Sequence, residues 1–249
     1  EDMHNRWCII SSPRSGSNYL EEMIFLRMLP TSSTNTIKLG EILHRIIFSY
    51  TDSALNGYRK DSEYNSIERI DFRNTLFSKL ENDHNMGAVL RLFMQSHHLP
   101  DIDYQAFVNK LKLLNFKFIH LTRELFDSAI SLSMANCSSL WHRYSSTTLG
   151  EYIEGNKEYA RNPKPINIPI YEFSQSYVEL LVTGYLNKNI LKNLEYTTVR
   201  YETILADCEY NNIPIEERTN IKKLHTSNYS TLIENYSELE NFYRHMKNG

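Results

Sequence analysis

The chain has 249 residues, 41% of them hydrophobic, 23% charged and 12% aromatic, with 27 basic against 30 acidic side chains and a formal net charge of −3. The 17 Tyr and 11 Phe supply bulk for a sizeable core and exclude global disorder, while 8 Gly, 7 Pro and 3 Cys exclude collagen and disulfide scaffolds. Balanced charge argues against a nucleic-acid-binding domain, yet leaves room for a small basic pocket around one anionic ligand.

Trp7-Cys8-Ile9-Ile10-Ser11 reads as a short buried strand. A turn, Ser12-Pro13-Arg14-Ser15-Gly16-Ser17, follows, and helical spacing of Leu20, Met23, Ile24 and Leu26 predicts a helix over 18–29 that ends at Pro30. A polar Thr/Ser stretch and Gly40-Glu41 lead to a second helical stretch over 42–50. Residues 51–85 are polar and mixed and suggest no element. The run 87–94 reads as a strand, 103–114 as a helix, 116–121 as a strand, 124–135 as a helix and 197–201 as a late strand. Residues 145–170, with Pro163, Pro165 and Pro169, read as a flap-like loop, and 231–246 as a C-terminal helix. Strands alternating with helices predict an α/β fold: a central parallel β-sheet flanked by helices, in a single domain over 1–249.

Cys8, Cys137 and Cys208 are far apart and form no CxxC pair, so buried thiols in a reducing compartment are expected, without zinc or a disulfide. Sequons begin at Asn136, Asn228 and Asn235 and matter only in a secreted protein. No apolar run reaches the ~20 residues of a membrane span. The expectation is a soluble, cytoplasmic protein, or a luminal domain trimmed from its anchor.

The strand–turn–helix over 7–29 carries the most chemistry. A Ser- and Gly-containing turn between a buried strand and a helix presents backbone N–H groups at the positive end of the helix dipole, which favours an anion. Gly16 permits close approach and Arg14 adds charge-assisted hydrogen bonds. The Walker A pattern is absent: there is no Lys after Gly16 and no earlier Gly at the required spacing, which disfavours a magnesium-dependent NTPase. The second element is Arg123 at a strand end, with Ser131 two helical turns later. Parallel sheets bind ligands at the carboxyl ends of their strands, so both elements suit one crevice. Each has an ordinary structural reading too, as capping serines and as an Arg paired with Glu124 or Asp127.

Together these elements resemble the sulfotransferases that use 3′-phosphoadenosine 5′-phosphosulfate. The loop of that family that holds the 5′-phosphosulfate, P-[KR]-S-G-[ST]-[ST], is matched by Pro13-Arg14-Ser15-Gly16-Ser17-Asn18, with Asn18 in place of Ser or Thr. Its R-x(7)-S element for the 3′-phosphate is matched by Arg123 and Ser131, with Asp127 inside it. Its late Y-E-x-L motif, whose Tyr lies near the adenine, is matched by Tyr201-Glu202-Thr203-Ile204. The three occur in the family's order and span roughly residues 7–205. Further stretches are similar to the trehalose sulfotransferase type: Met86-Gly87-Ala88-Val89-Leu90-Arg91, with Arg91 where Lys is usual, and Ile130-Ser131-Leu132 followed by Trp141-His142.

The resemblance implies a P-loop-like sulfotransferase architecture. It implies transfer of a sulfuryl group to a hydroxyl acceptor, a carbohydrate being the acceptor class suggested, with 3′,5′-diphosphoadenosine as the spent donor and no metal. Arg14, Ser15, Gly16, Ser17 and Asn18 would hold the 5′ end, Arg123 and Ser131 the 3′-phosphate, Tyr201 the adenine, and Lys223 would close the donor pocket. Arg91, Trp141 and His142 are candidates for the acceptor side. Two residues compete as the base: Glu41, matching a G-E segment, and His98, matching a T-H-L-P segment, with Glu41 placed ahead because the other likenesses lean to the trehalose type. Tyr19 suits either base stacking or a first-turn core aromatic. A P-loop-like kinase and a nucleotide-binding member without turnover are the rival readings. Oligomeric state is not legible in the sequence.

Overall fold

The computed structural model describes residues 6–29, 36–41, 74–75, 77–93, 103–138, 143–144, 165–217, 221–222 and 229–248. In chain order the elements are β1 (Arg6–Ser11), α1 (Ser17–Met28), β2 (Thr36–Glu41), β3 (Gly87–Leu92), α2 (Tyr104–Leu113), β4 (Lys117–Thr122), α3 (Leu125–Ser138) and β5 (Arg143–Tyr144). They continue with α4 (Ile170–Leu191), β6 (Tyr196–Arg200), a 3-10 turn (Tyr201–Thr203), α5 (Ile204–Tyr210), β7 (Ile221–Lys222), α6 (Tyr229–Leu232) and α7 (Tyr236–Asn248). The chain divides into two compact units, Glu1–Thr122 with Thr183–Arg218 and Arg123–Val182 with Thr219–Gly249.

The first unit is an α/β layer structure. Its five strands are ordered β2-β3-β1-β4-β6 and every pairing is parallel. Parallel strands covered on both faces read as continuous apolar runs, which is why β1 and β3 are buried along their whole length. The period of two sends alternate side chains to opposite faces. Cys8 and Ile10 of β1 join Leu90, Phe107, Val108, Leu111 and Phe118 on one face. Trp7 and Ile9 join Leu20, Met23, Ile24, Val199, Ile204 and Cys208 on the other. Full burial of side chains such as Ile9 and Ile10 contributes about 1.5–3 kcal/mol each.

Arg6 opens β1 inside the protein at 2% exposure. Its guanidinium donates to the carbonyls of Met86, Leu114, Leu80 and Asp83 at 3.0, 2.9, 2.8 and 2.8 Å. One buried side chain thereby supplies donors to four backbone carbonyls around the start of β1. Asp103 caps α2, its carboxylate accepting from the Ala106 N–H at 3.0 Å.

The second unit packs α3, the first part of α4, α6 and α7 around Ile130, Leu132, Phe173, Tyr177, Leu180 and Leu239. Rings of Phe126, Phe173, Tyr177, Tyr236 and Tyr243 meet at centroid distances of 5.0–6.5 Å. The Asn235 amide brackets Ile168, accepting from its N–H at 3.0 Å and donating to its carbonyl at 2.8 Å. That sequon asparagine is therefore engaged in the fold. The β5 and β7 strands pair antiparallel, Arg143 opposite Lys222.

Cys8 and Cys208 are buried, and burial pushes both thiols up, Cys208 to about 12 with Asp207 adding to the effect. Cys137 departs from the expected burial: it lies on the outer side of the last turns of α3 and is exposed. Among the described residues no helix is long and apolar enough to cross a membrane. The helix expected over 42–50 and most of the loop over 145–170 lie outside the described residues. Two elements depart from the sequence reading: β2 occupies part of the polar stretch after Pro30, and the 22-residue α4 follows Pro169.

Candidate functional site

The turn after β1 is held in an unusual backbone shape. Arg14 and Gly16 both have positive φ, 61° and 86°. Glycine adopts that region without cost, whereas Arg14 stores strain of about 1–3 kcal/mol. The Ser15 hydroxyl donates to the Ser12 carbonyl at 2.6 Å and so closes the turn from inside. Gly16 is the N-cap of α1 and brings no side chain to cap it. Its carbonyl accepts from the Tyr19 and Leu20 N–H groups at 3.0 and 3.1 Å, so the helix ladder begins there. The amides ahead of Tyr19 precede that ladder and carry the positive end of the helix dipole. Ser15 and Ser17 are buried, at 2% and 4% exposure.

The third matched motif meets this turn. Tyr201 opens the 3-10 turn after β6, and a Cβ built on Gly16 would lie 2.3 Å from its Cδ2 and 2.4 Å from its Cε2. The Tyr201 ring thus lies against the Gly16 backbone, and only glycine leaves room for it. The preceding residue is clamped: the Asp207 carboxylate accepts from the Arg200 N–H at 2.8 Å and from its guanidinium at 3.3 Å. Those bonds hold the Asp207 carboxyl below the usual carboxylate range. Tyr19 is half-buried against the α1 side of the core.

Beneath the turn, Arg91 of β3 is buried with its Nε 2.8 Å from the Glu21 carboxylate of α1, and its guanidinium carbon stands 5.8 Å from the Phe93 ring centre. Glu21 is fully buried. Arg91, a candidate for the acceptor side, therefore has an internal carboxylate partner. Glu41 ends β2 with its Cα in register with that of Arg91. The edge strand that sets this register carried no periodic signal in the sequence.

In the second unit, Arg123 directly follows β4 and donates to the Tyr229 hydroxyl at 2.9 Å. The sequence reading did not single out Tyr229, the residue that meets Arg123 here. Ser131 is buried at 4% exposure on α3, within a stretch that is buried from Ser128 to Ala135. Asp127 lies in the first turn of α3 and, after burial and Glu240, helps to raise the Tyr236 hydroxyl above its ordinary range. His98, Trp141, His142 and Lys223 lie outside the described residues. The β5–β7 pairing sets the residues that follow Trp141-His142 beside those that precede Lys223.

No model of a known protein family matches the chain, and no curated protein matches its sequence.

Proposed function

We propose that the protein transfers a sulfuryl group from 3′-phosphoadenosine 5′-phosphosulfate to a hydroxyl acceptor, with carbohydrates as the acceptor class to test first. The observation that carries this reading is the contact of Gly16 with Tyr201. It joins the first and last of the three matched motifs at the carboxyl end of the central strand of a parallel sheet, where ligands of such sheets bind.

The residues present fit a phosphate-bearing nucleotide. A left-handed turn at a helix N-terminus offers aligned N–H groups, Arg14 offers a cation, and Tyr201 offers an aromatic face. In this reading Arg14 to Asn18 hold the 5′ end of the donor, and Arg123 and Ser131 hold its 3′-phosphate. The donor supplies an SO3-like group, whose bond to the phosphate oxygen breaks as a bond to the acceptor oxygen forms. Arg14 and the turn amides stabilise the charge left on the departing phosphate. Glu41 or His98 takes the acceptor hydroxyl proton, a role worth about 10²–10⁴ in rate.

The test is a thermal melt with 3′,5′-diphosphoadenosine beside AMP and magnesium-ATP. A ligand at 100 times its dissociation constant stabilises by about 2.7 kcal/mol. A shift with the diphosphate but not AMP supports the reading. A shift with magnesium-ATP alone favours a kinase, and no shift removes the donor pocket. With turnover in hand, Glu41→Gln is expected to slow activity by about 10²–10⁴ and keep diphosphate binding. Loss in His98→Asn instead would assign the base to His98.

A further inference from the structure

The C-terminal segment meets the turn that carries Arg123 in two places. Tyr229 of α6 accepts from the Arg123 guanidinium at 2.9 Å. Farther on, α7 lays Tyr236 and Tyr243 against the Phe126 ring, at centroid distances of 5.6 and 5.0 Å. Those two tyrosines are two helical turns apart and so share one face of α7. Phe173 of α4 meets the same ring at 5.7 Å.

Phe126 is the second residue of α3 and stands three after Arg123. The Glu124 carbonyl opens that helix by accepting from the Ser128 N–H at 2.9 Å. Only Glu124 and Leu125 separate Arg123 from the ring cluster, so the place of the first turn of α3 sets where the guanidinium leaves the backbone. The acids of that turn lie near the same face of α7. Burial, then Tyr177 and then Glu124 push the Tyr243 hydroxyl up, and burial, then Glu240 and then Asp127 do so for Tyr236. The segment is itself anchored: the Ile166 N–H donates to the Leu232 carbonyl at 3.0 Å, and the Ile166 carbonyl accepts from the Glu234 N–H at 2.9 Å.

We propose that Phe126, Tyr236 and Tyr243 are positioning residues for Arg123: by clamping the first turn of α3 they aim its guanidinium at a phosphate monoester. The inference rests on the reading of Arg123 as a holder of the donor's 3′-phosphate, and it assigns the alignment of that residue to the C-terminal helix. Misalignment weakens only the ligand that carries a 3′-phosphate, whereas a general loss of stability weakens every nucleotide alike.

Titration calorimetry with 3′,5′-diphosphoadenosine and with AMP tests it, with thermal melts to verify that each variant is folded. The wild type is expected to prefer the diphosphate. In Phe126→Leu and Tyr243→Leu that preference should fall about tenfold, through the diphosphate alone, the scale of one lost hydrogen bond to a charged group. Tyr236 and Tyr243 are only partly buried, so Tyr236→Leu and Tyr243→Leu carry the test if Phe126→Leu fails to fold. Tyr243→Phe keeps the ring and should keep the preference. Phe242→Leu thins the cluster where it meets Phe173 at 6.4 Å, and should lose stability without losing preference. Wild-type preference in the leucine variants at 236 and 243 overturns the inference and leaves the 3′-phosphate reading standing. An equal fall in Phe242→Leu also overturns it, since any loss of core would then suffice. A wild type that binds the two nucleotides alike, or neither, removes the 3′-phosphate reading and the inference with it.

Discussion

Gly16 and Tyr201 occupy one another's space: the Tyr201 ring carbons Cδ2 and Cε2 fall 2.3 and 2.4 Å from where a Gly16 side chain would begin. The turn after the first strand and the turn after the last strand of the sheet are thereby locked to each other. Gly16→Ala must move the ring and must also hold alanine at a φ of 86°. The left-handed region alone costs a non-glycine residue about 1–2 kcal/mol, and forced repacking adds about 1–3 kcal/mol. The expected outcome is a lower urea midpoint and loss of the diphosphate-induced thermal shift. Tyr201→Ala in the Gly16→Ala background should recover part of the stability and none of the ligand effect.

Within the second unit, Arg123 donates to the Tyr229 hydroxyl at 2.9 Å. Arg123→Ala should weaken 3′,5′-diphosphoadenosine binding by about 1.5–3 kcal/mol, the range for hydrogen bonds to charged groups. Tyr229→Phe removes only the hydroxyl to which Arg123 donates and should weaken it less. Titration calorimetry reads both. Wild-type affinity in Arg123→Ala would take that residue out of the site.

The Glu21–Arg91 pair is buried on both sides, so breaking it is far worse than deleting it. Glu21→Leu removes the carboxylate that the buried Arg91 guanidinium meets at 2.8 Å and should cost about 3–5 kcal/mol. Glu21→Leu with Arg91→Met should recover most of that loss. Chemical denaturation of the three variants checks the ordering.

His120 gives stability a pH dependence. Burial, and after it the Lys188 cation, hold its imidazole below the ordinary histidine range, and its ring meets Tyr196 edge-on at 5.9 Å. The unfolded chain titrates near the ordinary value of about 6.5. As pH falls below that, the unfolded state takes up the proton first, so stability is complete above about pH 6.5 and is lost as pH drops toward the folded value. His120→Gln should flatten this limb, read as urea midpoints across the acid range.

Much of the fold was legible in local pattern. Cys8-Ile9-Ile10 and Val89-Leu90 are apolar because both faces of their strands are covered, and such runs announce a parallel sheet. Thr197-Thr198-Val199 betrayed β6 by β-branching. The edge strand β2, Thr36–Glu41, did not: its sequence is polar and glycine-containing, and its extended shape comes from pairing with β3. Helix α4 was hidden for the opposite reason. It is apolar on two sides, so no single stripe stands out.

The same division runs through the candidate site. Local sequence determined the Ser12–Gly16 turn, the strand-end position of Arg123 and the placing of Ser131 on the following helix, because strand, turn and helix signals act over a few residues. The tertiary structure alone decided that Tyr201 closes on Gly16, that Arg91 turns inward to Glu21, that Glu41 stands in register with Arg91, and that Tyr229 meets Arg123. Each of those pairs is distant in the chain. Strand order and packing bring them together, and no local pattern of residues encodes either.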